Sequence, residues 1–392
     1  LGVDNAPGQE VRRKDASCDI RGEKISGTPV DFSHGDVDAH KPIPGSLELF
    51  CEAYEVGGKQ AYTEYRGSMS IRRDLAAKVS AFTGKNLDAE NLIIAPGTQG
   101  ALFLAMGAVV GRDDKVAIVE PDYFANRKIV EFLDGVVVPV EMDYENAKEC
   151  AGLDLVQLEN VFKNGVKVFL FSNPNNPTGV IYSPEEIREI ARLAKQYNVT
   201  VIADQLYSRQ IFDGRTYTHM CKQDVNEDNL VTIMGPSKTE SLSGFRLGIA
   251  FGSAHIISRM EKLQAIVSLR AAGYNQAVAK NWFAEPDGWM EQRVEDHRDI
   301  RDSLLARLAK IEGVSARPTE GGSYLFVKMP ELDVNICDFV KALRTLADVT
   351  VTPGTEFGPQ FTNCFRINFS QDKEAACDAI DRIGAVIERY RK

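Results

Sequence analysis

The feature that most constrains this chain of 392 residues is a regular alternation of short β-branched runs with helical patterns, from about residue 90 to 255. The runs that we interpret as strands are 91–95, 115–120, 136–140, 166–172, 199–204, 230–234 and 247–252. Their nearly continuous apolar character is typical of strands that are covered on both faces. Strands that alternate with helices form parallel sheets. The pattern therefore predicts an α/β fold around a mostly parallel, seven-stranded sheet.

A well-marked helix lies between two of these runs. Ser183 has the side chain of an N-cap, Pro184 suits the first helical position, and Glu186 completes a capping box. The string "IREIARLAKQY" that follows predicts the body of the helix.

The pattern changes after about residue 285. A long charged helix, "WMEQRVEDHRDIRDSLLARLAKI", precedes predicted strands near 324–329 and 364–369 and predicted helices near 335–346 and 373–391. We therefore expect three parts: an N-terminal arm with part of a small domain (1–49), a large domain (50–285) and a small C-terminal α+β domain (286–392).

The composition argues against several classes of partner. Lys and Arg number 46 against 56 Asp and Glu, a net charge of -10, so we expect no binding to nucleic acid or anionic membranes. The best apolar run, 101–110, has about half of the ~20 residues that span a bilayer. The seven cysteines are scattered without a C-x-x-C pair, which predicts reduced thiols and a cytoplasmic location. The histidines and cysteines do not cluster in the sequence with the spacing of metal ligands, so we predict no metal site.

Polar residues follow several predicted strands, at the sheet edge where ligands of open α/β folds bind. In "IIAPGTQGALFLAMG", a glycine turn leads from a strand into a helix that begins near Thr98 or Gln99. The free N–H groups of a helix start suit a phosphate, although an ordinary turn explains the same string. In "FLFSNPNNPTGVIY", prolines hold Asn176, whose amide can donate to an anionic oxygen, although the same prolines and turn residues also suit a stiff loop without a ligand.

Two charged residues at this edge have alternative interpretations. Asp204 ends the apolar run of "VTVIADQLY" and needs a partner, which is a helix cap, a salt bridge or a protonated ring nitrogen. Tyr207 is close enough to reach the same ring. Lys238 in "GPSKTESLSGFRLG" alone suits a surface charge, but near such a ring its amine is a candidate for Schiff-base chemistry. Arg246 offers a planar fork to a phosphate or carboxylate.

Two further residues are candidates for ligand contact. Tyr123 in "VEPDYFAN" could stack on a ring or belong to the core. Arg366 in "CFRINFS" lies within an apolar strand and needs an anion, either a structural carboxylate or a substrate.

The strings "SNPNNPTG", "ADQLY", "SKTESLSGFRLG" and "FRINFS", in this order, resemble the class I and II aminotransferases, enzymes of fold type I that use pyridoxal 5'-phosphate. The resemblance extends from about residue 30 to the end of the chain. It implies that the large domain binds this cofactor and that the enzyme transfers an amino group between an L-amino acid and a 2-oxo acid by a ping-pong mechanism.

The resemblance also implies roles for residues around the cofactor ring. Lys238 forms the covalent link with the cofactor and moves the proton between the substrate α-carbon and the cofactor's C4'. Asp204 pairs with the ring nitrogen, Asn176 and Tyr207 donate to the phenolic oxygen, and Tyr123 stacks on the ring.

Further roles follow for the two anions of the complex. The phosphate-binding residues implied by the resemblance are Thr98, Gln99, Ser237 and Arg246. Arg366 holds the substrate α-carboxylate, and Gly35 in "SHGDVD" contacts the substrate. Tyr62 in "AYTEYRG", or alternatively Tyr65, reaches the phosphate of a neighbouring subunit, which implies a homodimer with shared active sites.

The sequence departs from the family pattern in a few places. Gly235 occupies a position that is often Ser or Thr, so one hydroxyl donor to the phosphate is missing. Gln205 replaces an acidic residue, and Pro236 stiffens the lysine loop. The same site chemistry also suits decarboxylation, racemisation, elimination or cyclisation of an amino acid, and a cofactor-binding domain of a transcription regulator is a further alternative.

Overall fold

The computed structural model describes residues 19–35 and 39–392 of the chain. Its strands are β1 (Val30–Asp31), β2 (Leu92–Pro96), β3 (Lys115–Glu120), β4 (Val136–Glu141), β5 (Val168–Ser172), β6 (Thr200–Asp204), β7 (Leu230–Met234), β8 (Leu247–Gly252), β9 (Ser315–Ala316), β10 (Tyr324–Lys328), β11 (Val349–Thr350), β12 (Thr352–Pro353) and β13 (Cys364–Asn368).

The α-helices are α1 (Ser46–Val56), α2 (Gly58–Ala61), α3 (Met69–Thr83), α4 (Gly97–Val109), α5 (Phe124–Phe132), α6 (Leu155–Lys163), α7 (Pro184–Tyr197), α8 (Ala254–Val267), α9 (Gly273–Gln276), α10 (Trp289–Leu308), α11 (Ile336–Ala347) and α12 (Lys373–Tyr390). Short 3₁₀ turns cover Ala89–Asn91, Met220–Lys222, Glu227–Asn229, Ser243–Phe245, Ala277–Asn281 and Gly354–Glu356. Within the described residues, none of the helices combines the length and apolar character that a membrane span requires.

Seven strands form the central sheet in the order β2-β8-β7-β6-β5-β3-β4. Strand β8 runs antiparallel to both of its neighbours, and every other pair is parallel. The predicted α/β fold with a mostly parallel seven-stranded sheet is therefore confirmed.

The sheet has apolar cover on both faces, as the continuous apolar runs predict. Phe169 and Phe171 of β5 belong to the core on one face. Val168 and Leu170, which alternate with them, belong to the core on the opposite face together with α4 and α8. The edge strand β4 is partly exposed, but the other strands are largely buried, and the polar residues of this region collect at their ends.

A third core lies around the four-stranded sheet of order β12-β13-β10-β9. Helices α10, α11 and α12 contribute to this core, as does Phe32 near the N-terminus. The short strand β1 pairs in parallel with β11, so the N-terminal segment joins the C-terminal part of the chain. The boundaries 1–49, 50–285 and 286–392 stay a prediction.

The cap of α7 is confirmed in detail. The Ser183 side chain accepts a hydrogen bond from the Glu186 N–H, the Glu186 side chain accepts one from the Ser183 N–H, and Pro184 opens the helix. The Glu186 carboxylate also accepts bonds from the N–H groups of Ala151, Gly152 and Leu153, at 2.9, 2.8 and 3.1 Å. One buried side chain thus ties the start of α7 to the segment before α6.

We predict that Glu186→Ala lowers the free energy of unfolding by about 3 kcal/mol, because it leaves several buried N–H donors without an acceptor. Urea unfolding followed by circular dichroism measures the change. Glu185→Ala is the matched control, since Glu185 is 72% exposed and pairs with Arg188 on the same helix, and it should change stability by less than about 0.5 kcal/mol. Equal unfolding midpoints for the two variants would contradict the assigned role of Glu186.

Candidate active site

The predicted site residues come together because their strands end at one edge of the sheet. Strands β5 and β6 pair so that Ser172 lies beside Asp204 at their carboxyl ends. The turns after β2, β3 and β7 reach the same edge. Strand β8 runs in the opposite direction and begins there, directly after Arg246. Residues that lie beside the ends of five strands and the start of β8 therefore form one polar site.

Close backbone packing forms an anion seat at the start of α4. Gly97 has φ of +77°, and a Cβ at this position would collide with the Arg246 guanidinium. A Cβ at Gly248 would collide with the Thr98 backbone nitrogen. Both glycines let Arg246 and β8 pack against the first turn of α4, where free N–H groups and the helix dipole attract an anion. Arg246 itself has left-handed φ of 53° and donates from Nη1 to the Ser243 carbonyl.

Ser237, the hydroxyl that the sequence predicts beside this seat, is buried. Its Oγ donates to the Leu247 carbonyl at 3.2 Å. The hydroxyl thus holds the lysine loop against β8.

The Asp204 carboxylate lies in the wall of a cavity and is otherwise surrounded by protein. It accepts a bond from the Leu206 N–H at 3.1 Å. Burial raises the pKa of Asp204 to about 6. Among residues 19–35 and 39–392, no lysine or arginine forms an ion pair with it, and the two influences on its pKa are burial and the Leu206 N–H. A half-buried carboxylate without a counter-charge suits a cationic ligand group.

Lys238 follows β7 on a loop that is braced on two sides. The Glu240 carboxylate accepts from Arg209 Nη1 at 2.7 Å and from Trp282 Nε1 at 3.2 Å. The Ser241 hydroxyl accepts from Arg293 Nη1 at 2.7 Å. The Lys238 amine itself makes no hydrogen bond to any part of the chain that the structure describes, and it faces the cavity. The loop is therefore fixed while the amine is left available.

Arg366 connects the C-terminal sheet to the strand-end loops. Its Nη1 donates to the Asn176 side-chain oxygen at 2.9 Å, and its Nη2 donates to the Ser33 carbonyl at 2.8 Å and to Thr352 Oγ1 at 3.3 Å. Arg366 is buried, and its Nε has no acceptor within the described residues. The guanidinium lies 4.4 Å from the centre of the Tyr324 ring. A buried cation without a carboxylate beside it suits an anionic ligand.

Most of the residues that the sequence predicts share this one cavity, which has a volume of about 270 Å³. The lining includes Thr98, Gln99, Tyr123, Asn176, Asp204, Tyr207, Ser237, Lys238, Arg246 and Arg366. Gly35 lines a smaller adjoining cavity of about 20 Å³ that also contacts Ser237, Lys238 and Ser243. Tyr62 lies on the surface with 69% exposure, and the Arg270 guanidinium lies 3.7 Å from its ring centre. Tyr65 is also exposed, with Arg270 at 5.0 Å.

Asp122 and Ser172 are site residues that sequence reasoning missed. Asp122 is buried, and its carboxylate accepts from the Tyr123 N–H at 2.6 Å and from Ser172 Oγ at 2.6 Å. Ser172 Oγ in turn accepts from the Asn176 N–H at 3.0 Å. Asp122 thus holds the backbone of two predicted ligand contacts. An aspartate directly after the strand in "VEPDYFAN" was an available signal.

Tyr324 was also missed. It lines the cavity, and its hydroxyl accepts from the Tyr207 hydroxyl at 2.6 Å. Nothing local in "GGSYLFVKM" distinguishes this tyrosine from a core aromatic residue, so the sequence carried no signal.

A larger cavity of about 610 Å³ lies elsewhere, between the segments near residues 144–149 and 315–320. Several of its charged groups form ion pairs: Glu320 accepts from Arg317 at 2.7 Å and from Arg215 at 3.1 Å. The smaller cavity holds Asp204, whose pKa is raised by burial, beside the Lys238 amine, so it is the better candidate for chemistry. Within the described residues, histidine, cysteine and acidic side chains form no group of three that could hold a metal ion.

We predict that Asp204→Asn stabilises the cofactor-free protein more at pH 8 than at pH 5, by about 1–2 kcal/mol. The folded pKa of Asp204 is about 6 against an ordinary 3.8, so the charged form costs stability, and the cost grows as the pH rises through 6. Asparagine keeps the acceptor for Leu206 and removes the charge. Thermal unfolding at the two pH values measures the difference.

Asp134→Asn is the control, because Asp134 is exposed and has the left-handed φ of 58° that asparagine tolerates. It should give equal effects at both pH values. An Asp204→Asn effect that does not depend on pH would show that the carboxylate is not penalised by burial.

The chain is similar to known proteins over most of its length. A family model described as aminotransferase class I and II matches residues 29–383. An aspartate aminotransferase from Sulfolobus acidocaldarius is 28% identical over 93% of this chain and 91% of its own length. One from Bacillus subtilis is 27% identical over 85% of each chain. A solved structure of an aspartate aminotransferase from Rhodobacter sphaeroides has 62% identity and a TM-score of 0.94 over 95% of both chains.

A more distant structure shares the fold alone. The N-succinyldiaminopimelate aminotransferase from Mycobacterium tuberculosis has a TM-score of 0.83 with 24% identity, over 91% of this chain and 93% of its own. The family model covers well over half of the sequence, in agreement with the motifs and the geometry of the cavity. The chain belongs to the class I and II aminotransferases.

Proposed function

We propose that this aminotransferase moves an amino group between an L-amino acid and a 2-oxo acid, using pyridoxal 5'-phosphate held in the cavity beside Lys238. One observation carries the proposal: Asp204, a half-buried carboxylate without a cationic partner in the described chain, lines the same cavity as the Lys238 amine, which makes no hydrogen bond to the described residues. Such a pair suits a ligand that brings both a protonated ring nitrogen and a carbonyl carbon.

The residues of the cavity fit the phosphate, the ring nitrogen and the phenolic oxygen of this cofactor. The N–H groups at the start of α4 and Arg246 would hold the phosphate, and Ser237 would join them by turning its hydroxyl proton from the Leu247 carbonyl to a phosphate oxygen. Asp204 would accept from the ring nitrogen, and Tyr207 would donate to the phenolic oxygen. When bound, the cofactor supplies an electron-poor ring that accepts the electron pair left by a departing α-proton.

Two further residues would fix the ring. The Asn176 backbone N–H donates to Ser172 Oγ, and its side-chain oxygen accepts from Arg366. The side-chain NH₂ group would donate to the same phenolic oxygen as Tyr207. The Tyr123 side chain would stack on the ring face, in a position fixed by Asp122 at its N–H and by Gln99 at its hydroxyl. The Gln99 side chain thereby acts through Tyr123, while its N–H faces the phosphate seat.

The substrate would be held by its α-carboxylate. Arg366 has a free Nε and an aromatic surround that excludes water, and it would form a forked pair with that carboxylate near Gly35. This orients the α-proton toward Lys238. The Lys238 amine would take that proton and return it at the cofactor's C4', and the second half-reaction would reverse these steps with a 2-oxo acid.

We propose aspartate as the first amino donor to test, because the relatives described above carry the name aspartate aminotransferase. A second carboxylate on the substrate favours a further basic side chain. Among the described residues of the cavity wall, His34 is the basic side chain that has no role in the scheme above. His34 is therefore the candidate partner of a second substrate carboxylate, and a neutral amino acid as the preferred donor would contradict this role.

We further propose a homodimer in which Tyr62 reaches the phosphate of the neighbouring subunit. Large apolar side chains are exposed together around α1, α2 and the end of α8: Leu47, Tyr54, Val56, Tyr62, Tyr65, Ile266, Val267 and Leu269. A patch of this kind is typical of a subunit interface. Sedimentation at micromolar concentration tests the proposal, and a monomer would refute it. A cytoplasmic location stays a hypothesis based on the scattered cysteines.

We predict that the enzyme supplied with cofactor converts aspartate and a 2-oxo acid to the exchanged pair with parallel lines in double-reciprocal plots, the pattern of a two-stage transfer. Lys238→Ala should lower turnover by at least a thousandfold, because both proton transfers use this amine. Lys163→Ala, which removes a surface lysine paired with Glu159, is the control and should keep full activity. Release of ammonia or carbon dioxide without amino transfer would overturn the transferase assignment.

A further inference from the structure

Tyr324 contacts both Tyr207, the proposed donor to the cofactor's phenolic oxygen, and Arg366, the proposed clamp for the substrate α-carboxylate. Its hydroxyl lies 2.6 Å from the Tyr207 hydroxyl, and the two rings meet edge to face with centroids 5.3 Å apart. The Arg366 guanidinium lies over the Tyr324 ring at 4.4 Å. Tyr207 and Tyr324 are 4% and 5% exposed. The three side chains therefore pack against one another and are almost inaccessible to water.

The hydrogen bond between the two tyrosines can run in either direction. A phenol carries one proton and two lone pairs. The Tyr207 hydroxyl donates to Tyr324 in the structure. Once Tyr207 donates its proton to a cofactor oxygen, its lone pair can accept the proton of Tyr324. The heavy atoms need not move for this reversal, because only the two hydroxyl hydrogens turn.

The reversed bond makes Tyr207 a stronger donor. Hydrogen bonds in a chain polarise one another, and the effect is larger where water is excluded. The positive charge of Arg366 over the ring face draws electron density from the Tyr324 phenol, which makes its hydroxyl a better donor in turn. Tyr123 is the other titratable group that faces this pair, and it bonds elsewhere, to Gln99 at 2.9 Å.

We propose that Tyr324 is a positioning residue that supports Tyr207 as the donor to the cofactor's phenolic oxygen and, with the face of its ring, supports Arg366 as the carboxylate clamp. The proposal rests on the proposed function, since it assumes that the cofactor oxygen faces Tyr207. Tyr324 then has two separate roles, one for its hydroxyl and one for its ring. The hydroxyl acts on the cofactor, and the ring acts on the substrate.

Two substitutions separate these parts. Tyr324→Phe removes the hydroxyl and keeps the ring under Arg366, so the holoenzyme should lose about threefold in kcat with KM within twofold of the wild type. Tyr324→Leu removes both parts and should also raise the KM for both substrates, because the clamp loses its support. Tyr144→Phe is the matched control, since it removes another buried phenol that bonds to Glu145 outside the cavity. It should change neither constant.

The decisive measurement is a pH titration of the visible absorption band of the holoenzyme. Loss of donors to the phenolic oxygen leaves negative charge there less stabilised, so protonation becomes easier and the midpoint of the titration rises. Tyr207→Phe removes the direct donor and should raise the midpoint by roughly 1–2 pH units. Tyr324→Phe should raise it in the same direction by roughly 0.3–0.5 unit.

The outcomes are distinct. A rise in both variants, with no change in Tyr144→Phe, supports the proposal. A rise in Tyr207→Phe alone overturns the role of the Tyr324 hydroxyl, and an unchanged KM in Tyr324→Leu overturns the role of its ring. Absence of a visible band in the wild type would instead count against the proposed function itself.

Discussion

The arrangement depends on a carboxylate held at the end of a central strand without a counter-charge from the described chain. Asp204 ends β6, which lies between β5 and β7 in the sheet and is covered on both faces. Burial raises its pKa to about 6, so the folded protein keeps it charged at neutral pH only at a cost. A cation that enters with a ligand removes this cost. This is the physical basis of the proposal that Asp204 pairs with a protonated heterocycle.

The other groups are placed relative to that carboxylate by the geometry of the sheet. Each turn at the carboxyl edge brings one chemical group to the cavity: the N–H groups of a helix start after β2, a tyrosine ring after β3, an amide after β5 and an amine after β7. Because the strands lie side by side, these functions are fixed relative to one another by backbone hydrogen bonds rather than by flexible side chains. Arg366 arrives from a different sheet, so the substrate carboxylate would bind between two separately packed cores.

Much of this could be predicted from the sequence, because strands and the residues after them are local signals. The seven central strands, the cap at Ser183 and the shared position of Asp204, Asn176 and Lys238 follow from periodicity, turn residues and strand ends. Other features are contacts between distant segments. Strand β1 pairs with β11, some 320 residues away, and the partner of Tyr207 is Tyr324. Two-residue strands and single tyrosines carry no periodic signal.

Tyr62 lies on the surface against Arg270, and its proposed role requires a second subunit. The departure at Gly235 has a structural counterpart: a Cβ there would collide with the Thr98 side chain and lie close to the Leu247 carbonyl. The missing hydroxyl is therefore the consequence of close packing between the lysine loop and α4, which leaves the phosphate to α4, Ser237 and Arg246.

The most direct test of the account is to reduce the cofactor-loaded protein with borohydride, digest it, and locate the modified lysine by mass spectrometry. Reduction converts a Schiff base between lysine and cofactor into a stable secondary amine, so the attachment site survives digestion. The account predicts a single pyridoxyl group on the peptide that contains Lys238. A group attached to a different lysine, or no attachment after reconstitution with pyridoxal 5'-phosphate, would contradict it.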